Sequence, residues 1–109
     1  MTYAEALTAL GDGTRRQVFE RLKAGPMAVG VIARGMPVSR PAISQHLKVL
    51  KEAGLVTERR EGTTHLYSVD PTGIIAIRGW LDEFWGQTLL AFKAEVEFDE
   101  TNRDRKKDD

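Results

Sequence analysis

Cysteine is absent from the 109-residue chain. That removes disulfides, thiolate metal ligands and cysteine nucleophiles together, and a reducing cytoplasm suits such a protein. Histidine is nearly absent, with only His46 and His65. There is no run of roughly 18 apolar residues, so no membrane span is expected. The N-terminus, MTYAEALTALGDGTRRQ, has no basic stretch followed by an apolar one and does not read as a signal peptide. Hydrophobic residues make up 41% of the chain, enough for the thin core of a single small domain. The parts of an enzyme are also missing: no G-x-S-x-G, no Walker loop, no nucleophile with an adjacent base. Asp82 and Glu83 are neighbours in a helical stretch and diverge, so they form no converging acid pair.

Net charge is absent too, with 16 basic and 16 acidic residues, but the charge is unevenly placed. Between Thr14 and Ser68 ten basic residues face four acidic ones, while both ends of the chain are acidic. Footprint electrostatics depend on local charge, so the basic middle can face phosphates. The same asymmetry also fits ordinary solvated surface.

Local signals divide the chain into five helices and a hairpin. Thr2 and Glu5 have capping-box spacing ahead of Tyr3, Ala6, Leu7 and Leu10, which predicts α1 over Tyr3 to Leu10. After Gly11-Asp12-Gly13, Asp12 caps α2, whose apolar face is Val18, Phe19 and Leu22 and which Gly25-Pro26 stops. Val29, Ile32 and Ala33 mark a short α3. Gly35-Met36-Pro37 is a tight break, because proline biases Met36 away from helical dihedrals. Ser39 is the N-cap of α4 and Pro41 lies in its first turn. Ile43, Leu47 and Leu50 face inward, and Gly54 suits the left-handed position after the helix. LVTERREGTTHLYSVD then alternates about Glu61-Gly62-Thr63 as a two-stranded hairpin, β1 and β2. Asp70-Pro71 starts α5, expected to reach about Phe98. The charged segment 99–109 is expected to be a disordered tail, leaving residues 1–98 as the domain.

A short helix, a tight turn, a longer helix and a hairpin make a winged helix-turn-helix, mainly α with a small β wing. In such an arrangement the N-terminal half of the longer helix enters the major groove. The outward residues there are Ser39, Arg40, Pro41, Ser44 and Gln45. Arginine matches guanine O6/N7 and glutamine matches adenine N6/N7. Ser44 suits a phosphate or base edge, Pro41 a thymine methyl, and the helix N-terminus favours a phosphate. Lys48 and Lys51 lie further along and meet backbone at most. Arg59 and Arg60 of the wing, with Thr63 at its turn, complete the expected contacts. A plain solvated helix face would also carry Ser, Gln and Lys. The wing directly after it favours double-stranded DNA as the partner.

The stretch from Leu10 to Asp70 resembles the winged helix-turn-helix domain of the ArsR family of bacterial transcriptional repressors. The resemblance rests on L-x-D-x-T-R-R at Leu10 to Arg16, on S-x-x-A-I-S-Q-H-L-K-V-L-K-E-A-G-L-V at Ser39 to Val56, and on R-R-E-G-T-x-H-x-Y at Arg59 to Tyr67. It extends over about residues 3–98. It implies a homodimer joined through α1 and α5, with recognition helices in successive major grooves of an inverted-repeat operator and DNA contacts at the positions of Arg40, Pro41, Ser44 and Gln45. Gly13 departs from the proline usual there, which loosens the start of α2.

Many members of that family sense metals through cysteines or through Asp/His/Glu sets on the last helix. MAVGVIARG, at the start of α3, carries no ligand, and α5 has Asp82, Glu83, Glu95 and Glu97 but no histidine. His46 reads as a helix-surface or packing residue and His65 as decoration of the wing. Neither metal nor cofactor is expected. The apolar residues of α5 run Ile74, Ile77, Trp80, Leu81, Phe84, Trp85, Leu89, Phe92, Val96 and Phe98, more than so small a chain buries alone. The simplest cover is a second copy, with Tyr3, Leu7 and Leu10 joining Ile77, Trp80, Leu81, Phe84, Trp85, Leu89 and Phe92. A sharper reading makes the aromatics a pocket for a small apolar effector. The expected function is a DNA-binding regulator, most simply a dimeric repressor of its own or an adjacent operon. The alternative is a winged helix for protein–protein contact, or a regulator controlled by a protein partner.

Overall fold

The computed structural model describes residues 2–107, with side chains as far as Glu100. The elements follow in the expected order: α1 (Tyr3–Leu10), α2 (Gly13–Arg21) with a 3-10 turn at Leu22–Ala24, α3 (Val29–Arg34), α4 (Arg40–Glu52), β1 (Val56–Glu61), β2 (Thr64–Val69) and α5 (Pro71–Lys107). The chain divides into two compact units, residues 1–78 and 79–109.

The first unit is built on side chains that the helical spacing turns inward. Val18 and Leu22 from the α2 segment, Ile32 from α3, and Ile43, Leu47 and Leu50 from α4 are buried, joined by Ala6, Ala9, Leu55 and Val56. Small Ala6 and Ala9 are the buried positions of α1. Both halves of the Thr2/Glu5 capping box form. Asp12 accepts from the Arg15 amide at 2.8 Å and so starts α2 despite Gly13. This backbone donor holds the Asp12 carboxyl below its ordinary pKa.

L-x-D-x-T-R-R also has a second use, which its sequence does not announce. Arg15 Nε donates to the Ala9 carbonyl at 2.7 Å, and Arg16 Nη1 to the Leu10 carbonyl at 2.8 Å. These cations therefore close the C-terminal end of α1, where carbonyls lack intrahelical donors and the helix field favours positive charge. They belong to the folding of the domain.

The wing is antiparallel, with Val56 opposite Val69, Arg59 opposite Leu66 and Glu61 opposite Thr64. Gly62 takes φ +65° at its turn, and Gly54 takes φ +74° after α4, a conformation that glycine adopts without a Cβ clash. The segment before α3 adds a bridge. The Met27 amide donates to the Tyr67 carbonyl at 3.0 Å, and the Tyr67 amide to the Met27 carbonyl at 2.9 Å. Asp70 caps the start of α5 through the Thr72 amide and hydroxyl, which together lower its pKa.

The second unit lies within α5. Trp80 and Phe84 stack with ring centroids 5.8 Å apart, and Phe84 meets Trp85 edge-on at 6.2 Å. The helix does not stop near Phe98 as its sequence suggests but continues to Lys107. No glycine or proline interrupts residues 99–107, and Asp99 and Arg103 have the i, i+4 spacing that supports a helix. Helical backbone through Lys107 therefore replaces the expected coil there, while Asp108 and Asp109, also assigned to that tail, lie outside the described residues.

Candidate nucleic-acid interface

The fourth helix sorts its residues by side. Ser39 stands at φ −70° and ψ 155°, and its hydroxyl accepts from the Ala42 amide at 3.3 Å. Ile43, Leu47 and Leu50 then fix the inner face. Arg40, Pro41, Ser44, Gln45 and Lys48 are left exposed, with His46 half-buried at the margin. The outward set read from the sequence is thus gathered on the first turns of one helix.

Arg40 has a further neighbour that the sequence does not reveal. Its guanidinium rests against Gly30 of α3, in the space where a β-carbon would stand. A comparable notch lies at Gly35, in the turn before α4, where the Arg21 guanidinium occupies the space a side chain would need.

Arg59 and Arg60, grouped together by the sequence, are separated by the strand. Successive residues of a β-strand point to opposite faces. Arg59 lies 3.7 Å from Glu61, both of them about two-thirds exposed. Such a pair is weak and exchangeable. Arg60 donates through Nε to the Gly62 carbonyl at 3.1 Å, bracing the turn. Thr63 is exposed at that turn.

The side of the ribbon that carries Arg60 also carries Glu58, which ties three elements together. Lys51 of α4 donates to Glu58 Oε2 at 3.2 Å, and His65 Nδ1 of β2 donates to Glu58 Oε1. Lys51 is therefore committed to an internal carboxylate, and His65 joins strand to strand where the sequence suggests mere decoration. Those two donors, Lys51 first, hold the Glu58 carboxyl below its ordinary pKa. A carboxylate whose pKa falls on folding stabilises the fold at pH values above the ordinary glutamate range. The contribution disappears as pH drops through the folded value. Glu58→Gln is expected to lower the thermal midpoint at neutral pH. The gap between the two proteins should close on acidification. A gap that stays constant from neutral to acid pH would show that the clamp contributes nothing through its charge.

Among the described residues no group of three or more His, Cys, Asp or Glu converges on a metal-sized site. No described helix is long and apolar enough to cross a membrane. A cleft of about 500 Å3 is lined by α1, α2 and the last turns of α4, including Glu5, Arg15, Val49 and Glu52. None of the expected DNA contacts lines it. Of the expected dimer residues, Leu10 and Ile77 are half-buried and packed against the core. Tyr3 and Leu7 of α1 are exposed, as are Leu81, Phe84, Trp85, Leu89 and Phe92 of α5.

A core-facing α4 with a polar outer N-terminus, entered through a tight turn and followed by a braced hairpin, defines a winged helix-turn-helix domain. Residues 10–59 match the helix-turn-helix domain family. The chain is 58% identical over 87 residues to the HTH-type transcriptional regulator Rv2034 of Mycobacterium tuberculosis, covering 80% of this chain and 81% of that one. It is 37% identical to the transcriptional repressor SdpR of Bacillus subtilis, over 70% of this chain and 84% of the repressor. Among solved structures it resembles the homodimeric winged helix-turn-helix DNA-binding domain of a possible ArsR-family regulator from Mycobacterium bovis. That likeness has a TM-score of 0.58 at 31% identity and covers 83% of this chain and 78% of the other. The chain belongs to the ArsR family of winged helix-turn-helix transcriptional regulators.

Proposed function

We propose that the protein is a homodimeric repressor that binds an inverted-repeat operator and controls its own or an adjacent operon, with no catalytic activity. The observation that carries this reading is the α4 surface. Arg40, Ser44 and Gln45 are exposed together on its first turns, while Ile43, Leu47 and Leu50 lock the opposite side into the core. The likeness to a repressor and to a homodimeric DNA-binding domain supports both repression and pairing. The apolar side chains left open on α5 favour the same pairing. Each protomer supplies one recognition helix, so the half-sites lie about 34–36 Å apart, one turn of the duplex. Arg59 exchanges Glu61 for a phosphate on docking, and Ser39, Pro41, Lys48 and Thr63 line the rim of the contact. The protein works where chromosomal DNA is, in the cytoplasm. It needs no metal or cofactor for binding, and a small apolar effector is the remaining candidate for a signal.

Electrophoretic retardation of DNA from the promoter of its own gene tests the reading. A discrete complex is expected, about 10³-fold weaker at 200 mM than at 50 mM salt if some six phosphates are neutralised. Equal affinity for promoter and scrambled duplexes would remove the sequence-specific part of the proposal. No complex at low salt would remove all of it.

A further inference from the structure

We infer that Gly30 is a specificity-determining positioning residue: the side chain it lacks leaves the notch on α3 in which the Arg40 guanidinium is held for DNA. This rests on the operator-binding reading above and concerns one residue outside the recognition helix.

A β-carbon at position 30 would stand 2.5 Å from Arg40 Nη2, 3.1 Å from Cζ and 3.6 Å from Nε. The Nη2 end of the guanidinium therefore intrudes on the space an alanine methyl would need. Among the described residues the Arg40 side chain has no hydrogen bond or ion pair, and the residue is exposed. Its donors stay open, and its seat against Gly30 is a packing contact. Charge does not put it there, because the first turn of α3 carries the positive end of that helix's field. Room does. Glycine inside a helix is less favourable than alanine, so what position 30 gains from glycine is the space. A flexible arginine at the first position of α4 would otherwise sample many rotamers, each to be given up on docking. The notch limits that sampling before DNA arrives and directs the fork of donors from one side of the helix.

Because the intruding atoms are the end of a flexible side chain, Gly30→Ala displaces them without disturbing the core. The thermal midpoint should hold or rise. The test uses the full chain and a duplex selected by it from a random pool. Measured on that duplex, Gly30→Ala is expected to weaken binding roughly five- to hundredfold. Fixing one long side chain costs about two- to twelvefold, and a dimer does so twice. The loss should fall on the same base pair whose preference Arg40→Ala relaxes. In the Arg40→Ala background the Gly30→Ala change should have no further effect, which a merely structural role of Gly30 would not reproduce. Equal losses in both backgrounds, or unchanged or tighter binding by Gly30→Ala alone, overturn the inference. If Gly30→Ala does not fold, relaxation of the Arg40 Nε–H in the unaltered protein decides. Order above that of Arg59 Nε–H is expected, and equal mobility overturns the inference. Failure to enrich any duplex would instead overturn the operator-binding reading, and this inference with it.

Discussion

Trp85→Glu is expected to turn the protein into a monomer and to abolish operator binding, although position 85 touches no DNA in the proposed arrangement. Leu81, Trp85, Leu89, Phe92 and Val96 recur at intervals of three and four residues, the spacing that lines one side of a helix. Trp85 is 50% exposed and Leu89 57%. A stripe of large apolar side chains left that open is costly in water and is relieved by a matching stripe on a second copy. Burying one such side chain contributes about 1.5–3 kcal/mol, and a two-fold interface contains it twice. Their loss alone is worth roughly 10²- to 10⁴-fold in dimer affinity. The two new carboxylates add a desolvation cost of several kcal/mol each if the interface still closes. Separated protomers then lose the linkage between half-sites, a further ~10²- to 10⁴-fold in operator affinity. Sedimentation at micromolar concentration should give twice the chain mass before the change and the chain mass after it. The amide fingerprint from α2 to β2 should stay in place, while α1 responds to the loss of its partner. A variant that remains a dimer with full affinity would show that this side of α5 is not the interface.

The parts of this architecture written in local code are legible in the sequence. Thr2/Glu5, Asp12 and Ser39 announce three helix starts because a cap is a contact between residues three apart. Gly54 and Gly62 announce turns because few other residues tolerate their dihedrals. The inward face of α4 follows from the intervals between Ile43, Leu47 and Leu50. What is not legible depends on partners in another element, beyond the reach of local spacing rules. Nothing local tells that Arg15 and Arg16 cap the helix before them, that Met27 pairs with Tyr67, or that Glu58 gathers Lys51 and His65. Arg59 and Arg60 look alike in a string and differ in a strand, where they stand on opposite faces. The far end of α5 departs from expectation for another reason. A charged segment with no apolar side reads as coil, yet residues 99–107 contain nothing that breaks a helix already running.

That separation of the two wing arginines sets the expectation for a comparison of Arg40→Ala, Arg59→Ala and Arg60→Ala. Arg40 offers a two-pronged donor at the N-terminal end of α4, the chemistry that distinguishes guanine from other bases. Its loss should weaken operator binding by roughly 1–3 kcal/mol per half-site and relax the preference at one base pair in each. Scrambled DNA should be affected far less. Arg59 is exposed, and its pair with Glu61 at 3.7 Å is easily exchanged. Its loss should weaken all duplexes alike. It should also reduce the slope of log K against log salt by about one for each phosphate left without its cation, hence by about two per dimer. Arg60 is engaged with the Gly62 carbonyl. Arg60→Ala should therefore act first on the wing itself, seen as faster hydrogen exchange in β1 and β2, with a smaller change in salt slope than Arg59→Ala. The discriminating measurement is binding of all three variants to operator and scrambled duplexes across a salt series. If Arg40→Ala lowers both affinities equally while Arg59→Ala changes base preference, the roles are reversed. Arg40 would then hold the backbone from its notch on α3, and the wing would read the sequence.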